Sequence, residues 1–249
     1  MTAQDLQHDQ TGQSILAILQ NAASTGTIQE VLEVLQRLDA ALSPRDGVKW
    51  FNLLYVMVTR AVYGKPASGS WADERWLTQL DVFFARLYFD ALSRSYTNPA
   101  SVPRAWAALF ESRYAGDIMR AQFALAGMNA HINHDLPLAL VQTGEALDIT
   151  PARGTPEYRD YETVNGIIDG LEPGALQYLA TGIVGEVAED LNCLGRVLSN
   201  WNVIAARDTA WTNAEVLWQV RDLPPARDGL LLSLDRLTGF AGRGLLVPV

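Results

Sequence analysis

From residue 27 onward the apolar side chains of this chain recur at steps of three and four, and nowhere do they alternate along a stretch closed by hairpin turns. A pattern of that period maintained along the chain leaves no segment for a sheet, so the sequence predicts an all-α fold, a bundle-like arrangement of roughly eight to ten helices. Thr27 and Glu30 spell a capping box, after which Ile28, Val31, Leu32, Leu35, Leu38 and Leu42 form one buried stripe. "VKWFNLLYVMVTRAVYG" is apolar on nearly every face and predicts a central helix. Trp76, Leu80, Phe83, Phe84, Leu87 and Leu92 mark the broad face of a further long helix beyond the loop "KPASGS". "SPRDG" and "TNPASVP" are breaks, Gly116 predicts another, and Thr155-Pro156-Glu157 supplies an N-cap, a first-turn proline and an acid for a helix that follows. No repeat of solenoid length is visible.

A chain of 249 residues lies near the upper edge of what one core supports, and no linker divides it. The expected organisation is a mobile tail over 1–12, which holds His8, and a single all-helical domain over 13–249. With 7 Trp, 8 Tyr and 7 Phe, that domain has the bulk for a sizeable core. Nineteen Lys and Arg against 28 Asp and Glu give a net charge of -9, which repels phosphate backbones and argues against nucleic acid as a partner. The lone Cys193 precludes an intrachain disulfide framework and reads as a small buried hydrophobe. The start lacks a secretory leader, and no run reaches about 18 apolar residues, so the expectation is a cytoplasmic protein without a membrane partner. Self-association as a homodimer is admissible for a helical chain rich in aromatic residues, although no heptad seam argues for it.

Residues 127–137, "GMNAHINHDLP", concentrate two of the three histidines with two asparagines and an aspartate. On a helix, His131 and His134 share a face with Gly127, Met128, Ala124, Arg120 and Asp117, and a glycine beneath two histidines lets a helix or a ligand approach closely. Imidazole titrates near neutrality, which makes His131 and His134 candidate catalytic groups, with Asp135 as a third. Asp135 followed by Pro137 also has the pattern of an N-cap opening a new helix, and Asn133 that of a helix end. Asn129, Asn133 and Arg120, and on the next helix Tyr158, Tyr161 and Asn165, are candidates for holding a substrate, Asp117 being the alternative partner of Arg120. A zincin would need a glutamate where Ile132 stands. A two-histidine, two-carboxylate metal site would need Glu186 and Asp190 of "GEVAEDLNC" to face His131 and His134. Trp50, Phe51, Tyr55 and Trp106 read as core residues first and pocket walls second.

At "RAWAALFESR", "QFALAGMNAHINHDLPLALV", "YETVNGII", "AEVLW" and "LDRLTGFAGRGLL", the chain resembles an uncharacterised bacterial family, a domain of unknown function, from about residue 47 to the end. The resemblance implies a single all-helical domain built around the segment "FALAGMNAHINxDLPLAL". It implies Asn129, His131, Asn133, Asp135 and Pro137 as signature positions, with position 134 open, and carries no assigned activity.

The function expected from these features is acid/base catalysis without a cofactor, of the cyclase, isomerase or lyase type, on a small and largely apolar substrate, as in bacterial specialised metabolism. No phosphate loop, dinucleotide fingerprint or nucleophile elbow is present. The alternatives are a metal-dependent hydrolase or oxygenase using His131, His134 and carboxylates, and a non-catalytic binding or scaffold protein in which the cluster is a hydrogen-bond network.

Overall fold

The computed structural model describes the backbone of residues 3–64, 71–181 and 202–248, and the side chains of 11–64, 71–170 and 202–248. Every regular element in these segments is helical. In order they are α1 (Ala3–Ala22), α2 (Ile28–Ala41), α3 (Val48–Tyr63), α4 (Glu74–Thr97), a 3-10 turn (Pro99–Ser101), α5 (Arg104–Ser112), α6 (Arg120–Ala130), a π-helical turn (His131–Asp135), α7 (Leu136–Leu147), α8 (Pro156–Thr181), α9 (Val203–Val220) and α10 (Pro224–Leu245). The all-α expectation holds. Helix α1 begins at Ala3, so the stretch 1–12 that the composition marks as a tail is helical from its third residue. No described helix is long and apolar enough to cross a membrane.

The local signals in the sequence close as hydrogen bonds. Thr27 Oγ1 accepts from Glu30 N at 3.2 Å and Glu30 Oε2 accepts from Thr27 N at 3.1 Å, which satisfies two end-of-helix donors reciprocally. Asp73 caps α4 by accepting from Trp76 N, and Thr155 Oγ1 caps α8 by accepting from Tyr158 N. Asp160 of α8 accepts from the backbone of Ala72 and Asp73 at 2.7 and 2.6 Å, which fixes the start of α4 against α8.

Two apolar clusters result. One, gathered by α1 to α6, includes Leu35, Phe51, Tyr88, Trp106 and Leu109. The other, between α3, α4, α7, α8 and α9, includes Trp76, Leu136, Leu140, Tyr161 and Trp211. The α6–π–α7 rod runs along both, and its π turn lies at their seam, with Ala130 in the first cluster and Ile132 in the second.

Two tertiary devices join the helices around that rod. Asp46, just before α3, forms a buried, two-pronged ion pair with Arg113 at the end of α5, Nε–Oδ1 2.9 Å and Nη2–Oδ2 2.5 Å, and Arg113 also donates to Tyr96 Oη. Burial strips water from both charges, so the planar guanidinium must satisfy the carboxylate within the protein, and here it does. The second device is close approach at glycine. Gly127 of α6 faces Phe51 of α3, and Gly239 of α10 faces the Arg104 backbone at the start of α5.

Gly127 yields the first prediction. Alanine is the better helix former by about 0.5–1 kcal/mol, yet its Cβ would fall inside the van der Waals contact distance of Phe51 Cβ and Cγ, atoms too near the backbone to swing away. Overpacking of that kind costs about 1–3 kcal/mol, so Gly127→Ala is expected to lower the midpoint of urea unfolding. An unchanged or raised midpoint contradicts this packing.

Candidate functional site

The site is built on an irregularity in the central rod. Helix signals in the sequence end one helix near Asn133 and start another at Asp135, but the chain stays helical throughout. Asp135 has φ −75° and ψ −37°, makes no capping bond, and Leu136 N–H donates to the His131 carbonyl in the i→i+5 pattern of a π turn. The N-cap reading of Asp135 is therefore corrected. Pro137 supplies the reason: it has no N–H for the Asn133 carbonyl, and its ring would collide with that carbonyl in a regular turn, so the helix widens there instead of ending. The widened turn places His131 and Asp135, four residues apart, on one inward face.

Asp135 is the hub. Its carboxylate, 1% exposed, accepts from Trp106 Nε1 at 2.9 Å and from His131 Nδ1 at 3.0 Å on Oδ2, and from His134 Nδ1 at 2.7 Å on Oδ1. Burial alone would raise its pKa, but the hydrogen bonds and charges of His131 and His134 outweigh that and hold it below the usual carboxylate value. His134 goes the opposite way to His131. Burial disfavours the His134 imidazolium, yet Asp135, and Asp235 with Oδ1 3.8 Å from Nε2, lift its pKa above the ordinary value. His131 is more deeply enclosed, and burial lowers its pKa despite the bond to Asp135. The trio is thus an Asp135 carboxylate, a His134 that favours the charged form and a His131 that favours the neutral form.

Since a carboxylate only accepts, His131 Nδ1 carries the hydrogen and Nε2 the lone pair. The imidazole is held flat against Phe84, centroids 3.5 Å apart and planes 7° apart, with Tyr55 at 4.7 Å and Phe51 at 5.5 Å edge-on. Its Nε2 is buried without a partner among the described residues, and His131 is one of the residues that line a largely apolar cavity of about 130 Å³ between α3, α4, α6, α7, α8 and α9. Tyr55 Oη and Thr59 Oγ1 of α3 and Asp81 Oδ2 of α4 are likewise buried and unpaired, and their residues line the same cavity. Burial raises Tyr55, with the charges of Asp81 and Asp135 adding to it, and burial raises Asp81 to about 7.

Residues 28–248 match a family of unknown function, DUF5995. The chain belongs to that family. No curated protein and no solved structure matches it. The DUF5995 match extends about one helix further toward the N-terminus than the resemblance from residue 47, taking in all of α2.

Within this DUF5995 chain the expected site residues separate into three groups. His131, His134 and Asp135 come together, although the two imidazoles do not converge on one point: both direct Nδ1 at Asp135, while Nε2 of His131 has no partner among the described residues and Nε2 of His134 meets Asp235. Asn129 and Asn133 hold the rod to α10, Asn133 Nδ2 donating to Asn129 Oδ1 and Asn129 Nδ2 to the Thr238 carbonyl at 2.9 Å. Arg120 lies over the Trp50 ring at 4.3 Å rather than beside Asp117. Tyr161 lines the cavity and donates to the Arg207 carbonyl, and Asn165 accepts from Arg207 Nε. Tyr158 packs edge-on to Trp211 and accepts from Arg153. Glu186, Asp190 and Cys193 lie outside the described residues, as does the side chain of His8. Among the described residues no group of three or more His, Cys, Asp and Glu is arranged to hold a metal ion. Sequence reasoning missed Asp81 and Arg207, which sit on amphipathic helices where a polar residue ordinarily faces water, and Thr59, whose small hydroxyl carries no signal within the largely apolar α3.

Removing the charge of the hub tests the network. Asp135→Asn is expected to cost about 3–5 kcal/mol, the scale for breaking a buried ion pair. His134 has a raised folded pKa, so its contribution is fully present below its unfolded value of about 6.5 and is lost as the pH rises through the folded value. The penalty of Asp135→Asn, read from urea unfolding, should therefore be larger at about pH 6 than at about pH 9. Equal penalties would show that His134 draws no charge stabilisation from Asp135.

Proposed function

We propose that this protein is an acid/base enzyme that moves a proton on a small, largely apolar molecule bound in the cavity, with His131 as the base and no redox cofactor. The observation that carries this reading is that His131, a residue of the cavity wall, has a buried, unpaired Nε2 and its other ring nitrogen tied to a buried carboxylate. A neutral imidazole in a dry site accepts a proton from carbon when the bound geometry brings that carbon within hydrogen-bond reach. The imidazolium formed is stabilised by Asp135, which fixes the tautomer and the ring orientation in the same way that an aspartate orients histidine in hydrolytic triads. The held proton then returns to a different atom of the substrate, which is isomerisation, or leaves with a departing group, which is elimination.

Size and lining support the substrate class. An engineered cavity of about 150 Å³ in another protein holds benzene, so about 130 Å³ suits a single small ring or a short branched chain. The wall is made mainly of Leu, Val, Phe and Ala side chains, which favour hydrocarbon.

Proton exchange with solvent is the direct test. Cyclopentanone, nitrocyclopentane and cyclopentanecarbonitrile, carbon acids of matching size, are incubated in D2O with wild-type protein and with His131→Gln, which retains bulk and polarity but has no base. Wild type is expected to incorporate deuterium into at least one of them, and His131→Gln to lose that incorporation while its melting temperature stays close to wild type. No enzyme-dependent incorporation by wild type, or equal incorporation by the variant, contradicts the reading.

A further inference from the structure

Four residues that line the cavity have a pattern that a hydrocarbon ligand does not explain. Tyr55 Oη, Thr59 Oγ1, Asp81 Oδ2 and His131 Nε2 are four of the five buried polar side-chain atoms without partners among the described residues, the fifth being Arg86 Nε away from the cavity, whereas Asp46, Asn129 and Asp160 are bonded. Tyr55 and Thr59 are one turn apart on α3. Asp81 stands on α4 one turn before Phe84, the ring stacked on His131, so acid and base meet the cavity on adjoining elements.

We infer that Asp81, acting as a carboxylic acid, is a further catalytic residue, donating a hydrogen bond and then a proton to the carbonyl oxygen of a small neutral ketone or enone whose α-carbon lies against His131 Nε2. This rests on the reading of His131 as the base. The step balances without an oxidant. Nε2 takes the α-proton, the C–H pair becomes the C=C bond, the carbonyl π pair moves onto oxygen, and Asp81 supplies that oxygen with its proton. The products are a neutral enol, an Asp81 carboxylate and a His131 imidazolium, and reprotonation at the α- or γ-carbon restores both groups. Burial alone keeps the acid form of Asp81 populated at neutrality, and the same physical cause keeps His131 unprotonated. The other titratable and charged groups on the cavity are Tyr55 from α3, Asp135 behind His131, Tyr161 from α8 and Arg207 from α9. The tyrosines are raised by burial and stay neutral through the range in which Asp81 titrates.

The test compares binding of cyclopentanone with methylenecyclopentane, the same ring with CH2 in place of the carbonyl oxygen, by ligand-observed NMR. Wild type is expected to prefer the ketone about tenfold at about pH 6, the factor that one well-formed hydrogen bond contributes, and to lose most of that preference at about pH 9 as Asp81 ionises. Asp81→Asn keeps a donor that does not titrate, so its preference should be flat with pH. Asp81→Leu, matched in size and apolar, should bind both probes alike at either pH. Equal binding of the two probes by wild type at about pH 6, as when water alone meets these atoms, overturns the proposal, as does a ketone preference that survives in Asp81→Leu. Ketone preference without deuterium exchange overturns the role of His131 alone, so the two failures are distinguishable.

Discussion

A carboxylate shut away from water must be matched by donors or it will not stay charged, and Asp135 is the point where this fold meets that demand. Its three donors come from two elements: Trp106 on α5, and His131 and His134 on the π turn itself. Each donor is itself held. Trp106 is fully enclosed in the first apolar cluster, and the amide at the start of α5 donates to Asp235 of α10, the residue that also faces His134. Asn129, one turn before Asn133 on the rod, donates to the Thr238 carbonyl on the same helix α10. The close approach of α10 to α5 at Gly239 and of α3 to α6 at Gly127 lets these partners reach the carboxylate. The packing and the electrostatics are therefore one arrangement: the helices dock where they do partly because a charge between them has to be satisfied.

That arrangement splits the two histidines into different chemical states although they are three residues apart. His134 lies between two carboxylates and is drawn toward imidazolium, whereas His131 shares one carboxylate with Trp106 and is otherwise surrounded by aromatic rings that cannot stabilise a charge as water does. A neutral imidazole and a carboxylate bonded to it are thereby fixed in place, which is the preorganisation that the proposed proton transfer at carbon requires. On the cavity side, burial acts on Asp81 in the opposite sense from its action on His131, since it disfavours the charged form of each: the acid keeps its proton and the base goes without.

The sequence carried the fold class and the local signals plainly. Helical periodicity, the Thr27–Glu30 box and the Thr155 cap are decided by neighbours along the chain, so they are legible without knowing the packing. The concentration of His131, His134 and Asp135 was visible for the same reason. The way these three are joined was not visible, because Asp135 and Pro137 have the same pattern whether they open a new helix or force a π turn, and in the fold Trp106 and the two histidines together occupy the carboxylate that would otherwise cap a helix. Asp81 carried no signal, since a polar residue on an amphipathic helix ordinarily faces solvent, and Thr59 carried none because one hydroxyl in the largely apolar α3 does not say what it faces; only the seating of α3 and α4 around one cavity brings the two together. Arg113 and Asp46 were hidden by distance: 67 residues separate two charges that burial forces together.

The protonation states of the two site imidazoles test this picture most directly. In a 15N-labelled sample, with His8→Gln used to assign the third histidine, long-range 1H–15N spectra recorded across the pH range report each ring nitrogen separately. The predicted result is that, near the ordinary imidazole value of about 6.5, His134 is still protonated while His131 is neutral with its hydrogen on Nδ1 and a bare Nε2. A His131 that carries its hydrogen on Nε2, or that takes up a proton before His134 does, would contradict it.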